Sequence, residues 1–151
     1  MHWEVIFDIE TQKLFEDIDM SNIADLGVSI VSVYRRQLDQ DFNEISGQIM
    51  SFWENELSQI WPLFSEADRI IGFNSLGFDI PVLQGYYPGD VNNFSQFDIM
   101  EDIRSKIGRR LGLNDLAGAT LNIKKSGHGL MAIDYFKEGK WDELKKYCLD
   151  D

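Results

Sequence analysis

The residues with chemistry to offer come in three short stretches. The first is VIFDIETQ, residues 5–12, where Asp8 and Glu10 stand at the end of an apolar run. On a strand, positions i and i+2 project from one face. Asp8 and Glu10 then point the same way, and each carboxylate opposes ionisation of the other. A divalent cation removes that conflict, and an all-oxygen ligand set suits Mg²⁺ or Mn²⁺. An acidic strand end in an acidic protein carries the same triplet, so D-x-E alone does not mark a site. The second stretch is GFNSLGFDIPVL, residues 72–83, where Asn74 precedes Phe78 and Asp79 by a fixed gap. The third is KKYCLDD, residues 145–151, with Tyr147 one helical turn before Asp151. Positions i and i+4 share a helix face, so the phenol and the carboxylate point into one space.

In this order, D-x-E, N-x3-F-D and Y-x3-D resemble the DEDD superfamily of 3′–5′ exonucleases in its tyrosine-bearing (DEDDy) branch. The resemblance covers residues 3–151. The chain is similar to stand-alone bacterial and archaeal nuclease domains related to the proofreading domain of family B polymerases. The resemblance implies a ribonuclease H-like α/β fold, a mixed sheet with antiparallel first strands plus parallel strands, flanked by helices. It implies a two-metal phosphodiesterase using Mg²⁺ or Mn²⁺ and acting on DNA or RNA with a free 3′ end. Asp8 would bridge both cations, and Glu10 and Asp151 would hold the one carrying the attacking water. Asp79 would reach the second through water, and Tyr147 would orient the attacking water. The chemistry agrees, because two cations about 3.5–4 Å apart stabilise attack and departure at an anionic phosphodiester together. A phenol with a pKa near about 10 is a poor base at neutral pH, so positioning is the role left to it. In the family the last motif lies inside a helix that runs on. The expectation is one domain over residues 1–151, its last helix cut short after Asp151.

Other residues compete for the same roles. NFSQFD sets Asn93 before Phe97 and Asp98 at the same gap as Asn74 before Phe78 and Asp79. Asp79 is favoured because it follows an apolar strand and opens an amphipathic helix. Asp98 lacks the preceding strand and is expected to be structural or to support the site residues from behind. His128 lacks the spacing of a histidine-bearing branch and reads as a surface or loop residue. Cys148 reads as a buried apolar residue. Nothing supports a Cys–His nucleophile pair, a zinc site or a phosphate-binding glycine loop.

The net charge of −12 argues against a broad phosphate-binding surface. An enzyme gripping only a 3′ end needs a smaller footprint, built from base stacking and a few phosphate contacts. Asn74, Phe78, Lys124 and Lys125 are the substrate-binding candidates, with Arg104, Arg109 and Arg110 behind them. Two rivals stand beside the exonuclease. One is a lapsed nuclease fold that docks on a helicase or polymerase, and the other is a ribonuclease H-type endonuclease, which would cut internally.

The elements that must position these groups follow from periodicity. With 151 residues and 44% hydrophobic content, the chain can bury a real core. Residues 3–8 read as a buried strand, 24–36 as a second and 37–42 as a third. In 46–67, Ile49, Phe52, Trp53, Leu57, Ile60, Trp61 and Phe64 recur at helical steps, with Pro62 limiting or kinking that helix. Residues 68–73 read as a strand. A short helix follows with Pro81 in its first turn. Helical pieces then fill the last third, one of them opened by an Asn114 cap. No apolar run is long enough to span a bilayer. One cysteine suggests a reducing, cytoplasmic setting.

Overall fold

The computed structural model describes residues 1–123 and 129–150. Its centre is β1 (His2–Thr11), joined by β2 (Val28–Leu38), β3 (Glu44–Trp53), β4 (Arg69–Gly72) and β5 (Gln96–Asp98) in the order β3-β2-β1-β4-β5. The β1–β2 and β2–β3 pairs are antiparallel, and β1–β4 and β4–β5 are parallel. This is the mixed sheet expected.

Alternation along β1 feeds two cores. Val5, Phe7 and Ile9 face one way, into a cluster with Val31, Val33 and Ile70. Ile60 and Phe64 of α1 (Ile60–Glu66) and Ile80, Val82 and Leu83 of α2 (Asp79–Gln84) close that side. Each such side chain contributes about 1.5–3 kcal/mol when fully buried. On the opposite face Ile30 packs with Ala132 of α5 (Gly129–Lys137) and with Leu144, Tyr147 and Cys148 of α6 (Trp141–Asp150). Helices thus cover both faces, which is why residues 28–31 of β2 are buried without a break. The remaining helices are α3 (Ile99–Ile107) and α4 (Leu113–Leu121).

Several boundaries differ from the sequence expectation. β1 runs on to Thr11, because β2 continues to pair with it past Asp8. β2 starts only at Val28, since Ile23–Leu26 forms a 3₁₀ turn that Gly27 ends at φ 66°. The strand expected at 37–42 is instead mostly a turn. Asp39 accepts the amides of Asp41 and Asn43 (both 2.9 Å), and Phe42 sits at φ 63°. The helix expected from 46 is the strand β3 as far as Trp53, then a 3₁₀ segment, Glu54–Gln59, and helix only from Ile60. Ser46, Gly47 and Ser51 are weak helix formers, and β2 offers a full ladder of partners. Gly47 passes beneath Tyr34, where a Cβ would fall 2.0 Å from the phenol oxygen. Pro62 lies in the first turn of α1 and makes no kink necessary. Gly112, not Asn114, is the N-cap of α4. Among the described residues, no helix is long and apolar enough to cross a membrane.

One charge group ties the sheet across its middle. Glu4 of β1 is the register partner of both Arg36 on β2 and Arg69 on β4. Its buried carboxylate accepts from Arg36 Nη2 (2.6 Å) and Nε (2.8 Å), and from Arg69 Nε (2.6 Å). Burial pushes this carboxyl up, but the two guanidinium groups outweigh it and hold the pKa below its ordinary 4.5. A depressed folded-state pKa means the stabilisation is complete above the ordinary value and lost as pH falls through the folded one. Both arginines are partly exposed, which discounts the pair. Glu4→Gln is expected to lose about 2 kcal/mol at pH 7. In urea unfolding the difference from the parent should close at acidic pH, where Glu4 is itself neutral.

Candidate active site

The three parallel strands end at one edge of the sheet, and there β1 outruns β4. Their register stops at Ile6 opposite Ile71, while β1 continues beside β2 alone. Past that point the β4-facing amides of β1 need another partner. The Ile9 amide donates to Asp79 Oδ2 at 3.2 Å in a buried contact. Asp79 is the first residue of α2. Its carboxylate is therefore docked on β1 between Asp8 and Glu10, although 70 residues separate Asp79 from Ile9. Glu10 and Asp79 are buried, and Asp8 is half-buried. The gap between β1 and β4 is where chain connections diverge to opposite sides of β1, the place where open α/β sheets form clefts.

Register also places Tyr147. Glu10 pairs with Ile30, and cross-strand partners share a face. Ile30 belongs to the cluster containing Tyr147, so α6 lies over the face that carries Asp8 and Glu10. Leu149 of α6 and Asp8 line one small cavity of about 250 Å³. A cleft of about 420 Å³ is bordered by Asp8, Asn74, Phe78, Asp79 and Arg110. Beyond Phe78 a second hollow of about 630 Å³ opens beside Glu10, walled by Lys13, Phe15 and Leu130. Phe15 and Phe78 are in ring contact, with centroids 5.8 Å apart.

A family model described as RNase_H superfamily matches residues 5–151. The chain belongs to the RNase_H superfamily. Its sheet is the ribonuclease H-like α/β fold. Members are mostly nucleases that typically use divalent metals, so membership points to nucleic-acid processing. None of the curated proteins matches the chain.

Within this ribonuclease H-like frame the donors at the end of β1 are carboxylate oxygens, the chemistry that fits Mg²⁺ or Mn²⁺. Among the described residues, no group of three or more His, Cys, Asp or Glu side chains is gathered tightly enough to hold a metal ion. The expected fourth donor, Asp151, lies outside the described residues, as do Lys124, Lys125 and His128. Of the expected arginines, Arg110 borders the cleft, Arg109 is exposed, and Arg104 is paired with Glu101 at 2.7 Å. Phe15, Lys13 and Leu130 are site-lining residues that sequence reasoning missed. No motif or period in the sequence singles out Phe15, and its exposure is visible only in the fold.

Asp98 turns out to be the anchor of the site's loop. A strand does precede it, because 96–98 is β5 itself, contrary to the expectation. Its buried carboxylate accepts from Asn74 N (2.8 Å) and Leu76 N (3.1 Å), and it caps α3 through Met100 N (3.0 Å) and Glu101 N (3.4 Å). Asn74 is held at φ 57°. At Gly72 a Cβ would fall 2.5 Å from that of Ser75, so the turn into the loop is tight. Asp98→Ala leaves these amides without their acceptor and should cost about 2–3 kcal/mol. Hydrogen exchange should quicken first at Asn74 and Leu76. Unchanged protection there would mean that the loop holds itself.

Proposed function

We propose that this protein is a metal-dependent 3′–5′ exonuclease acting on single-stranded DNA or RNA, with residues 1–151 forming its single nuclease domain. The observation that carries the reading is the bond from the Ile9 amide to Asp79. It unites carboxylates from two distant motifs at one strand end, beside a helix that carries a tyrosine. Asp8, Glu10, Asp79 and Asp151 would hold two divalent cations, Mg²⁺ or Mn²⁺. When bound, such a pair offsets the charge of attack and departure and makes water acidic enough to attack.

The chain's own residues do the rest. Tyr147 orients the attacking water through its phenol and does not take its proton. The water loses one proton to solvent as its oxygen joins phosphorus, and the bond to the 3′ oxygen of the preceding nucleotide breaks. That oxygen takes up a proton from solvent and leaves as a hydroxyl, and a nucleoside 5′-monophosphate is released. Arg110 offers a guanidinium to the phosphate at the cleft wall, with Asn74, Lys124 and Lys125 as further contacts. Phe78, with Phe15 behind it, stacks the terminal bases, a contact worth about 1–3 kcal/mol per base. A protein of net charge −12 is poorly suited to tracking a long phosphate backbone, which favours end recognition.

A 5′-labelled single-stranded oligonucleotide should shorten as a ladder from its 3′ end with Mg²⁺ or Mn²⁺ and stay intact with chelator. Internal fragments would instead indicate a ribonuclease H-type endonuclease. Intact DNA and RNA with either cation would leave a binding module for a partner such as a helicase or polymerase. Asp8→Ala and Asp79→Asn should each lower the rate more than about a hundredfold, since even residues behind metal ligands cost about 10–100-fold. Asp8→Ala also relieves carboxylate crowding, so its melting temperature in chelator should equal or exceed the parent's. Parent-like digestion by Asp8→Ala would remove Asp8 from the chemistry.

A further inference from the structure

A second site-like feature, whose lining includes neither Asp8, Glu10 nor Asp79, lies where the end of β3 meets the turn between α5 and α6. Gly139, at φ 69°, lets the chain reverse within a short connection, and Lys140 N donates to Tyr135 O at 2.8 Å. That turn brings Trp141, the first residue of α6, beside Phe136 of α5, with ring centroids 5.7 Å apart and planes at 71°. Trp141 also meets Trp53 of β3 at 5.8 Å and 79°. The three rings, near-perpendicular at each contact, border a hollow of about 420 Å³ together with Ser29, Glu54 and Asn55. Trp141 remains 49% exposed. About half of the indole is thus taken up by ring packing, and the other half is open to a ligand.

The polar part of this wall sets the ligand's charge. Glu54 Oε2 is held by Gln12 Nε2 at 2.7 Å and by the Tyr86 hydroxyl at 2.6 Å. A fixed carboxylate sharing a hollow with three aromatic rings repels anions and attracts cations, which ring π-systems also favour. A purely apolar ligand would gain nothing from Glu54, whereas a cation gains its charge. The chain already uses this contact internally, with Arg35 4.1 Å from the Trp3 ring centroid and Arg69 5.0 Å from that of Phe97. Both of those lie elsewhere in the fold. The net charge of −12 favours a basic partner. The volume holds an alkyl stem as well as a charged head.

We propose that Trp53, Phe136, Trp141 and Glu54 form a receptor for a basic side chain, lysine or arginine, of a protein partner. Indole N–H signals in ¹H–¹⁵N spectra report on it directly. The probes are N-acetyl-lysine methylamide, N-acetyl-arginine methylamide, choline and its neutral isostere 3,3-dimethylbutan-1-ol, at matched ionic strength. The Trp53 and Trp141 signals should shift saturably with the cations while those of Trp3 and Trp61 stay still. The neutral isostere should bind about tenfold more weakly. Glu54→Gln should weaken the response severalfold, and Trp141→Ala should abolish it with the remaining spectrum dispersed as before. Should Trp141→Ala unfold, Trp141→Leu takes its place. Shifts that do not saturate, an equal response to the neutral isostere, or responses unchanged in these variants would overturn the site. Choline binding with no response to either amino-acid derivative would overturn its assignment to a protein side chain.

Discussion

A strand that outruns its neighbour leaves amides unpaired, and a buried amide must find an acceptor. In this protein β4 stops at Gly72 while β1 runs to Thr11. The Ile9 amide takes Asp79, and that one bond fixes where α2 begins relative to the end of β1. Had β4 been longer, its carbonyls would have filled the place and Asp79 would have no reason to be there. The length difference between two strands thus does more to gather the carboxylates than any attraction between them. Like charges gathered without a cation oppose one another. The arrangement is held instead by backbone hydrogen bonding and by the apolar packing of Ile80, Val82 and Leu83 behind it.

The same logic reaches outward through Asp98. The loop at 73–78 has to leave β4, reverse and start α2 within a few residues. It has no strand ladder of its own, so its amides need an acceptor supplied from outside. Asp98, at the end of the adjacent β5, supplies it and caps α3 with the same carboxylate. Glu4 performs a comparable service at the other end of the sheet, where Arg36 and Arg69 clamp β2 and β4 to β1. In both places a buried acid is satisfied by several donors, which is the condition under which a buried charge is tolerated.

How much of this was legible in the sequence depends on the kind of signal. The mixed sheet, with its antiparallel first strands and its parallel ones, was legible through the resemblance that the three motifs carry, and β1 through its own apolar run. The segment 46–67 was not. Ile49, Phe52 and Trp53 satisfy a helical period, but they also fit an edge strand whose outer positions, such as Ile45 and Ile49, are simply left exposed. Only the presence of β2 as a partner decides between the two, and that is a tertiary fact. Phe15 and Leu130 were missed for a similar reason. Neither stands in a motif, and they become neighbours of Glu10 and Phe78 only when the fold brings their segments together.

The repeated motif shows the limit most plainly. N-x3-F-D occurs at Asn74 and again at Asn93, with identical spacing and identical chemistry. What separates the two aspartates is the length of strand before each. Asp98 ends β5, an outer strand that lies beside β4, so its carboxylate meets the amides of the loop leaving β4. Asp79 comes seven residues after β4 has ended, with a loop long enough to carry it across to β1. One acid therefore serves as an internal acceptor for backbone, and the other reaches the strand with Asp8 and Glu10. A pattern search cannot rank them, because the deciding variable is where each parallel strand stops. The second copy is also what makes the first workable, since Asp98 holds the very loop that delivers Asp79.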